Sequence, residues 1–274
     1  MPFAIGVFTS DPNLLRCELA RLRAEVILGA QEDEPMGAGW YAEDAVLLQR
    51  YSARVRPRRL DHLGGVLESE ALLVHAGPLP LGMSLEENTQ PFRYRHWLFA
   101  HQGAIGSNDK LRVRVMDALP EHLARAVRGS TASELAFALF LSVLRESGST
   151  DDEQLEPRHA AKVLGTSARR MEQLALEAGA RPLSLGLFAT NNHLLVACRL
   201  GDQPMFYRLL EGTQTCEVCE LDGSAKSRPA IRAHLRRRSI VVATQVADPQ
   251  AWIPLESGTA LGVGGDLGVQ RVVF

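Results

Sequence analysis

The sequence lacks the features of membrane and secreted proteins. None of its segments contains about 18 consecutive apolar residues, the length at which a helix can span a bilayer. Its first residues lack the charged opening and the long apolar core of a signal peptide. Four cysteines in 274 residues are too few and too irregularly spaced for a disulfide framework. We therefore expect a cytoplasmic protein that has no membrane partner.

A large excess of charge is also absent. The formal net charge is -2 at pH 7, so no global field attracts nucleic acid or an anionic surface. Hydrophobic residues make up 46% of the chain, which is enough for a substantial buried core. Basic residues cluster twice, and a convergence of the two clusters on one face would favour an acidic protein or a phosphorylated ligand as partner. The clusters are Arg54, Arg56, Arg58 and Arg59, and Arg232, Arg236, Arg237 and Arg238.

Metal-ligand spacing is limited to one Cys-x-x-Cys pair, Cys216 and Cys219. Such a pair supplies half of a tetrahedral zinc site, and no second pair or nearby Cys/His group in the sequence completes it. His234 is the closest downstream imidazole. A redox-active pair would need a helix N-terminus to lower the thiol pKa, whereas this pair lies in a Thr-rich segment typical of a strand. We therefore predict ordinary thiols in a strand or hairpin, no metal site and no cofactor.

Apolar patterning predicts alternating strands and helices. Short apolar runs predict strands at 4–8, 45–51, 72–76, 97–101, 183–189, 194–198, 205–210 and 240–244. Helical spacing predicts a helix at 14–28, a second from about 133 with Ser130 or Thr131 as its cap, and a polar helical region to about 178. Residues 37–41 are predicted as a glycine-bounded turn. The simplest architecture is one α+β domain, residues 1–274, with two antiparallel sheets packed between helices.

Three motifs occur in order in the middle of the chain. They are Glu-Asn-Thr-Gln-Pro-Phe at 87–92, Trp-Leu-Phe-Ala-His-Gln-Gly at 97–103 and Gly-Ser-Thr-Ala-Ser-Glu at 129–134. This series resembles the ENTHPF, W-x-FxHNG and GDTDSE motifs of the class II glutamine amidotransferases, which are N-terminal-nucleophile hydrolases. The resemblance implies a four-layer αββα sandwich, in agreement with the order of strands and helices.

The resemblance also implies a cysteine directly after the initiator methionine, where its own α-amine activates the thiol. This chain has Pro2 at that position. After removal of the methionine, Pro2 would present a secondary amine without a thiol or hydroxyl, so it cannot form the thioester of a glutaminase. Thr9 and Ser10 lie about 23 Å away at ~3.3 Å per residue of strand, and they cannot replace the nucleophile.

Three further positions of the implied pocket are substituted. Gly77 stands where the family has the arginine that holds the carboxylate of glutamine. Gln102 replaces the asparagine that forms the oxyanion hole with Gly103, and loss of one such donor typically costs about 2.7 to 4 kcal/mol. Ala132 replaces the aspartate that pairs with the α-ammonium group of glutamine. We therefore expect no catalytic residues and do not expect glutamine to be a substrate.

The candidate residues for a ligand pocket are His75, Asn88, Thr89 and His101, together with Gln102 and Gly103. Asn88 and Thr89 are also turn-forming residues that can position neighbouring strands. A histidine can serve in acid–base chemistry because its ordinary pKa is near neutral. His75 and His101 also suit hydrogen-bonded positions at the ends of strands.

The leading hypothesis is a catalytically inactive member of the family, a pseudoenzyme, that acts as a binding, regulatory or scaffold subunit with a protein partner or as a homo-oligomer. The alternative is an amidohydrolase or amidotransferase of altered chemistry that uses the Pro2 amine, with Gly103 as oxyanion donor. A second alternative is a DNA-binding regulator, in which helices within 159–179 form a helix-turn-helix and Arg169 and Arg170 reach the DNA. Acidic neighbours dilute that basic patch, so we do not expect nucleic acid as a partner.

Overall fold

The computed structural model describes residues 2–26, 34–43, 45–57, 59–63, 67–79, 83, 85–106, 109–152, 154–180, 183–224 and 229–274. Its strands are β1 (Phe3–Thr9), β2 (Met36–Ala42), β3 (Ala45–Tyr51), β4 (Ala71–Ala76), β5 (Phe92–Tyr94), β6 (Trp97–Ala104), β7 (Ser184–Thr190), β8 (Leu194–Leu200), β9 (Phe206–Leu210), β10 (Thr215–Cys216), β11 (Leu221–Asp222), β12 (Ser239–Ala243), β13 (Ile253–Pro254), β14 (Thr259–Gly264) and β15 (Gln270–Val273). Its α-helices are α1 (Leu15–Leu22), α2 (Leu85–Asn88), α3 (Asp109–Ala118), α4 (Glu121–Ala124), α5 (Ala132–Glu146), α6 (Pro157–Glu177) and α7 (Pro229–Arg236).

Two antiparallel sheets form the centre of the molecule. One has seven strands in the order β13-β9-β12-β1-β4-β2-β3, and the other has six in the order β15-β14-β8-β7-β6-β5. Strands β10 and β11 form a separate two-stranded hairpin. Strand β1 is central in the larger sheet because it pairs with β12 on one side and with β4 on the other.

The alternation of side chains along β1 explains how the layers pack. Phe3, Ile5 and Val7 belong to the apolar cluster shared with α1, whereas Ala4 and Phe8 belong to the cluster between the two sheets. Successive strand residues point to opposite faces, so one strand can contribute to both clusters. A third cluster joins the six-stranded sheet to α3, α5 and α6. The result is helix, sheet, sheet, helix, which confirms the expected αββα architecture.

Most of the predicted strands are confirmed, with changes of one to three residues at their ends. The turn predicted at 37–41 is wrong, because those residues belong to β2. Gly37 is needed there, since a Cβ atom at this position would lie 2.1 Å from the carbonyl oxygen of Gln90. The helix predicted at 14–28 is too long, because α1 ends at Leu22 and Val26 forms a β-bridge with Val246. Residues 27–28 of that prediction lie outside the described residues.

Candidate functional site

Pro2 lies at the open end of β1, next to the end of β4. Its carbonyl oxygen accepts a hydrogen bond of 2.9 Å from Gln245 Nε2. A Cβ atom added to the buried Gly77 would lie 3.2 Å from Pro2 Cβ and 3.0 Å from His75 Cε1. The half-buried Pro2 ring and the His75 ring therefore occupy the space into which a longer side chain at position 77 would project. Thr9 is at the opposite end of the same strand, as predicted.

Gln90 connects two of the predicted pocket residues. Its Oε1 accepts a hydrogen bond of 2.6 Å from the His101 backbone N–H, and its Nε2 donates one of 3.1 Å to the His101 carbonyl. Nε2 also lies 3.3 Å from Nε2 of His75. An amide NH₂ group only donates, so His75 accepts at this nitrogen. Gln90 is not among the residues predicted for the pocket, although it stands at the histidine position of the ENTHPF motif.

His75 and His101 are both buried, and burial dominates their acid–base properties. Burial lowers the pKa of His75 to about 4, although hydrogen bonds to the Gln102 side chain and the His101 backbone partly oppose the shift. Burial lowers the pKa of His101 to about 3, and the nearby His75 lowers it further. The Nδ1 atom of His101 lies 2.9 Å from the Ser133 hydroxyl. Both rings are therefore neutral and hydrogen-bonded near pH 7, which weakens the case for acid–base chemistry.

Gln102 and Gly103 lie near the end of β6. The Gln102 side chain is buried, and its amide oxygen accepts a hydrogen bond from the His75 ring, which raises the pKa of His75. Gly103 is exposed and has a φ of 129°, and a Cβ atom there would lie 1.9 Å from the Ser184 carbonyl oxygen. This conformation favours glycine. The backbone geometry at Gly103 therefore excludes a side chain whether or not the residue serves as an oxyanion donor.

Asn88 joins the 87–92 motif to the 129–134 motif. Its Oδ1 atom accepts a hydrogen bond of 3.0 Å from the Ser130 backbone N–H, just before α5 begins. Thr131 caps α5 by accepting from the Glu134 N–H at 3.3 Å, which confirms one of the two predicted caps. Ala132 is the first residue of α5 and is half-buried. Its methyl group cannot bind an ammonium ion.

Thr89 is buried against the same turn. Its carbonyl oxygen accepts a hydrogen bond of 3.2 Å from Arg50 Nε. Its hydroxyl oxygen is buried and has no hydrogen-bond partner among the described residues. A cavity of about 910 Å³ lies next to this turn and is lined in part by Arg50, Glu86, Glu87 and Arg93. Arg50 thus links the turn at Thr89 to this charged cavity.

The comparisons with known proteins agree with this geometry. A model of the family "Glutamine amidotransferases class-II" matches residues 34–264, which is well over half of the chain. This chain belongs to that family. Over 91 residues, or 33% of the chain, it is 30% identical to a probable glutamine amidotransferase, DUG3, of Saccharomyces cerevisiae. That alignment covers only 26% of the yeast protein.

Solved structures of class II amidotransferases share the fold. A glutamine aminotransferase class-II domain protein from Silicibacter pomeroyi superposes with a TM-score of 0.58 at 20% identity, covering 100% of this chain and 99% of the other. The glutamine phosphoribosylpyrophosphate amidotransferase of Bacillus subtilis gives 0.56 at 12% identity, covering 99% of this chain and 49% of the other. This chain thus spans about half of the Bacillus enzyme. At these identities the similarity establishes an Ntn-type α+β fold.

The chain contains no helix-turn-helix at the predicted position. Helix α6 continues from Pro157 to Glu177 without a turn, so that prediction is wrong. Gly165 lies inside this helix. Its lack of a side chain leaves room for the Phe274 ring, because an added Cβ atom would lie 2.5 Å from that ring. Arg169 donates a hydrogen bond of 3.1 Å to the Phe274 carbonyl. Arg170 makes two hydrogen bonds, of 2.6 and 2.9 Å, to the carboxylate of Glu146. Both arginines therefore have partners within the protein.

One arginine of each cluster, Arg59 and Arg237, lies near Glu217, and two of the described arginines are buried. Arg237 is buried in an ion pair with Glu18, and burial raises the pKa of that glutamate. Arg237 also lines a cavity beside Glu217, whose charge acts on the exposed Arg59. Arg56 is buried. Arg58 lies outside the described residues.

The cysteine pair has neighbours that the sequence did not reveal. Cys216 and Cys219 lie on the β10–β11 hairpin, as predicted, but Cys17 of α1 and His234 of α7 lie beside them. The Sγ atoms of Cys17 and Cys219 are 3.6 Å apart. Burial and the neighbouring thiols raise the pKa of Cys17. The sequence alone did not place Cys17 and His234 beside the pair.

Among the described residues, none of the helices combines the length and apolar character needed to cross a bilayer.

Proposed function

We propose that this class II amidotransferase-fold protein does not hydrolyse glutamine and acts as a binding or regulatory subunit, with a protein partner or a second copy of itself. The main support for this proposal is the packing around Pro2. The nucleophile position holds a ring without a thiol, and Gly77 leaves no guanidinium for the carboxylate of glutamine. The Pro2 and His75 rings take up the space next to Gly77.

The other polar groups of the pocket support this proposal because they bind to each other. The Gln102 amide hydrogen-bonds to His75, and the Gln90 amide binds both backbone groups of His101. An oxyanion donor has to point at the position where charge develops. The hydrogen bond to Gln102 raises the pKa of His75, so Gln102 accepts it with its amide oxygen, and this contact fixes how the amide is oriented. These interactions stabilise the ends of β4 and β6 in place of a bound substrate.

The proposal of a binding role rests on what the family motifs still do. Asn88 and Thr131 retain hydrogen bonds that fix the start of α5 against the 87–92 turn. The fold is therefore maintained without the residues that glutamine hydrolysis needs. Fold alone does not determine function, so the partner has to come from experiment. Affinity purification of the tagged protein from its own cell, with cross-linking before lysis, should recover the same partner or a second copy in each repeat.

The direct test is a glutaminase assay. The purified protein is incubated with glutamine, and glutamate and ammonia are measured beside a Pro2→Ala variant as matched control. Mass spectrometry confirms that the initiator methionine has been removed from both. We expect no glutamate above the level of the control. Turnover that depends on Pro2 would show that the site is an active glutaminase and would overturn the proposal.

A second candidate is an enzyme of altered chemistry that uses the Pro2 amine, because Pro2 is only half-buried and Gly103 is exposed. A secondary amine condenses with a carbonyl compound to an iminium ion with loss of water, and cyanoborohydride reduces that ion to a stable tertiary amine. The test treats the protein and a Pro-Phe-Ala peptide with pyruvate and cyanoborohydride. Labelling of Pro2 much faster than the peptide would favour this candidate. Labelling at or below the peptide rate would reject it.

A further inference from the structure

Four potential metal ligands from three separate segments meet on the outer side of the seven-stranded sheet. Cys17 comes from α1, Cys216 and Cys219 come from the β10–β11 hairpin, and His234 comes from α7. Their ligand atoms all lie within 4.8 Å of one another. Cys17 and Cys219 are 202 residues apart in the sequence, so only the fold brings these side chains together.

The spacing of the sulfur atoms suits a tetrahedral ion. A zinc–sulfur bond of ~2.3 Å places two sulfurs of a tetrahedral site about 3.8 Å apart. The Cys17 and Cys219 sulfurs are 3.6 Å apart. A disulfide would require about 2.05 Å. The two thiols are therefore close to the separation that a shared zinc ion would impose, and they are not bonded to each other.

The imidazole of His234 is prepared to act as a ligand. Its Nδ1 atom lies 2.8 Å from the Ala230 carbonyl oxygen, one helical turn earlier in α7. A carbonyl only accepts, so Nδ1 carries the proton and Nε2 keeps its lone pair. Nε2 is buried and has no hydrogen-bond partner among the described residues, and the residue is only 1% exposed. Histidines that bind metals commonly donate their second N–H to a carbonyl in this manner.

The hairpin that carries the two other cysteines is short. Strands β10 and β11 have two residues each. An isolated hairpin of this size is not stable in water. None of its residues from Thr215 to Asp222 belongs to an apolar cluster of the described part of the chain. An ion pair of 2.7 Å between Arg23 and Glu217 links it to the region after α1. A shared metal ion would add an anchor for a hairpin that contributes nothing to these apolar clusters.

The surroundings also suit the charge of such a site. Three thiolates and one Zn²⁺ carry a net charge of about -1 when the fourth ligand is a neutral imidazole. The adjacent cavity is lined by Arg21, Arg23 and Arg237. Arg237 is itself paired with Glu18, the residue next to Cys17. These guanidinium groups would stabilise a site of net negative charge.

We propose that Cys17, Cys216, Cys219 and His234 form a closed, structural zinc site that fixes the β10–β11 hairpin and α7 to α1. Four protein ligands leave no open coordination position, which separates structural from catalytic zinc sites. Thiolate-rich donor sets favour zinc over the harder divalent cations. Helix α7 leads directly into β12, which pairs with β1. The ion would thus fix the connection between α7 and β12, the strand beside β1. The zinc proposal does not depend on the proposed loss of glutaminase activity.

The experiment measures metal content by mass spectrometry on protein purified under reducing conditions and dialysed against low zinc. We expect about one zinc per chain in the native protein and in Cys198→Ala, whose thiol lies elsewhere in the core. Cys219→Ser and His234→Ala should retain less than about a tenth of that zinc. Replacement by Co²⁺ should give the intense visible spectrum of a tetrahedral thiolate site in the native protein and in Cys198→Ala, and no such spectrum in Cys219→Ser or His234→Ala.

A second measurement uses the native protein alone, so it tests the proposal even if the variants fail to fold. The native protein is treated with a chelator, and proteolysis within 213–224 is followed before and after zinc is returned. We expect faster cleavage after chelation and full reversal by zinc, with no reversal by magnesium. A disulfide between Cys17 and Cys219 in the reduced preparation, iron in place of zinc, or reduced protein that binds no added zinc would each overturn the proposal.

Discussion

Gln90 continues the pairing of β5 with β6 through its side chain. Phe92 lies opposite Phe99 in this antiparallel pair, so the same register would place Gln90 opposite His101. The pairing of the backbone stops at Phe92, and the Gln90 side-chain amide binds the N–H and the carbonyl of His101 instead. The Gln90 side chain therefore makes the hydrogen bonds to His101 that the backbone of a longer β5 would make. The same side chain also contacts His75.

We expect Gln90→Ala to destabilise the protein. The substitution removes two hydrogen bonds to buried backbone groups of His101 and the contact with His75, and unpaired buried groups cost about 1 to 3 kcal/mol each. The free energy of unfolding should fall by about 2 to 4 kcal/mol in urea titrations. Gln250→Ala, at an exposed glutamine, is the matched control and should change it by less than about 0.5 kcal/mol. Equal effects of the two substitutions would contradict this role for Gln90.

Gly103→Ala should be more damaging than an ordinary glycine substitution. Its φ of 129° and the Ser184 carbonyl oxygen 1.9 Å from the added Cβ atom both oppose a side chain. We expect a loss of about 3 kcal/mol or more, because the end of β6 or β7 has to move. Gly265→Ala is the control, since nothing lies within 4 Å of its added Cβ atom. Thermal unfolding of the two variants measures the difference, and a near-native melting temperature for Gly103→Ala would be inconsistent with this geometry.

Stability should fall in mildly acidic solution because His75 and His101 resist protonation in the folded state. The unfolded chain takes up these protons near the ordinary pKa of about 6.5, whereas the folded protein does so only near pH 4 for His75 and near pH 3 for His101. The contribution of the two histidines to the free energy of unfolding is therefore fully present above about pH 6.5, and it is lost progressively as the pH falls below that value. Between pH 7.5 and pH 5, each histidine should lower the free energy of unfolding by about 2 kcal/mol.

The measurement compares urea unfolding of the native protein and His75→Gln over this pH range. The variant removes one titrating group and keeps a polar side chain. The loss of stability between pH 7.5 and pH 5 should be smaller in the variant by about 2 kcal/mol. Identical pH profiles would show that His75 is protonated equally in the folded and unfolded states. Nuclear magnetic resonance titration of the two rings gives an independent value for each pKa.

Pro2→Cys should not create a glutaminase. The variant restores the thiol and its adjacent amine, but Gly77 and Ala132 still leave the carboxylate and the α-ammonium group of glutamine without partners. We expect no glutamate above background after mass spectrometry has confirmed an N-terminal cysteine. Alkylation by iodoacetamide serves as the positive control, because it shows that the thiol is present and accessible. Glutamate formation by this single variant would disprove the loss of glutamine binding.

The sequence was sufficient for most of the fold because local patterns determined it. Apolar runs located strands such as β3 and β4 within a residue, and the capping chemistry at Thr131 located the start of α5. These signals arise from neighbours in the chain. The layer order followed from the family motifs, whose spacing is retained.

Features that depend on distant contacts could not be predicted in this way. The glycine at position 165 suggested a turn, but it lies within α6. Glycine at this position makes room for the ring of Phe274, which is 109 positions further along the chain. Cys17 carried no motif of its own, and only the packing of α1 against α7 and the hairpin reveals its relation to Cys219. The role of Gln90 likewise required the register of β5 and β6 to be known.

The position of Pro2 at the start of β1 has a practical consequence. Both neighbours of β1 hold the strand by backbone hydrogen bonds, which do not depend on the identity of residue 2. Different amino acids can therefore be presented at the same point in space without redesign of the surrounding sheet. The protein thus offers a background in which the contribution of a single N-terminal group to Ntn chemistry can be measured one substitution at a time.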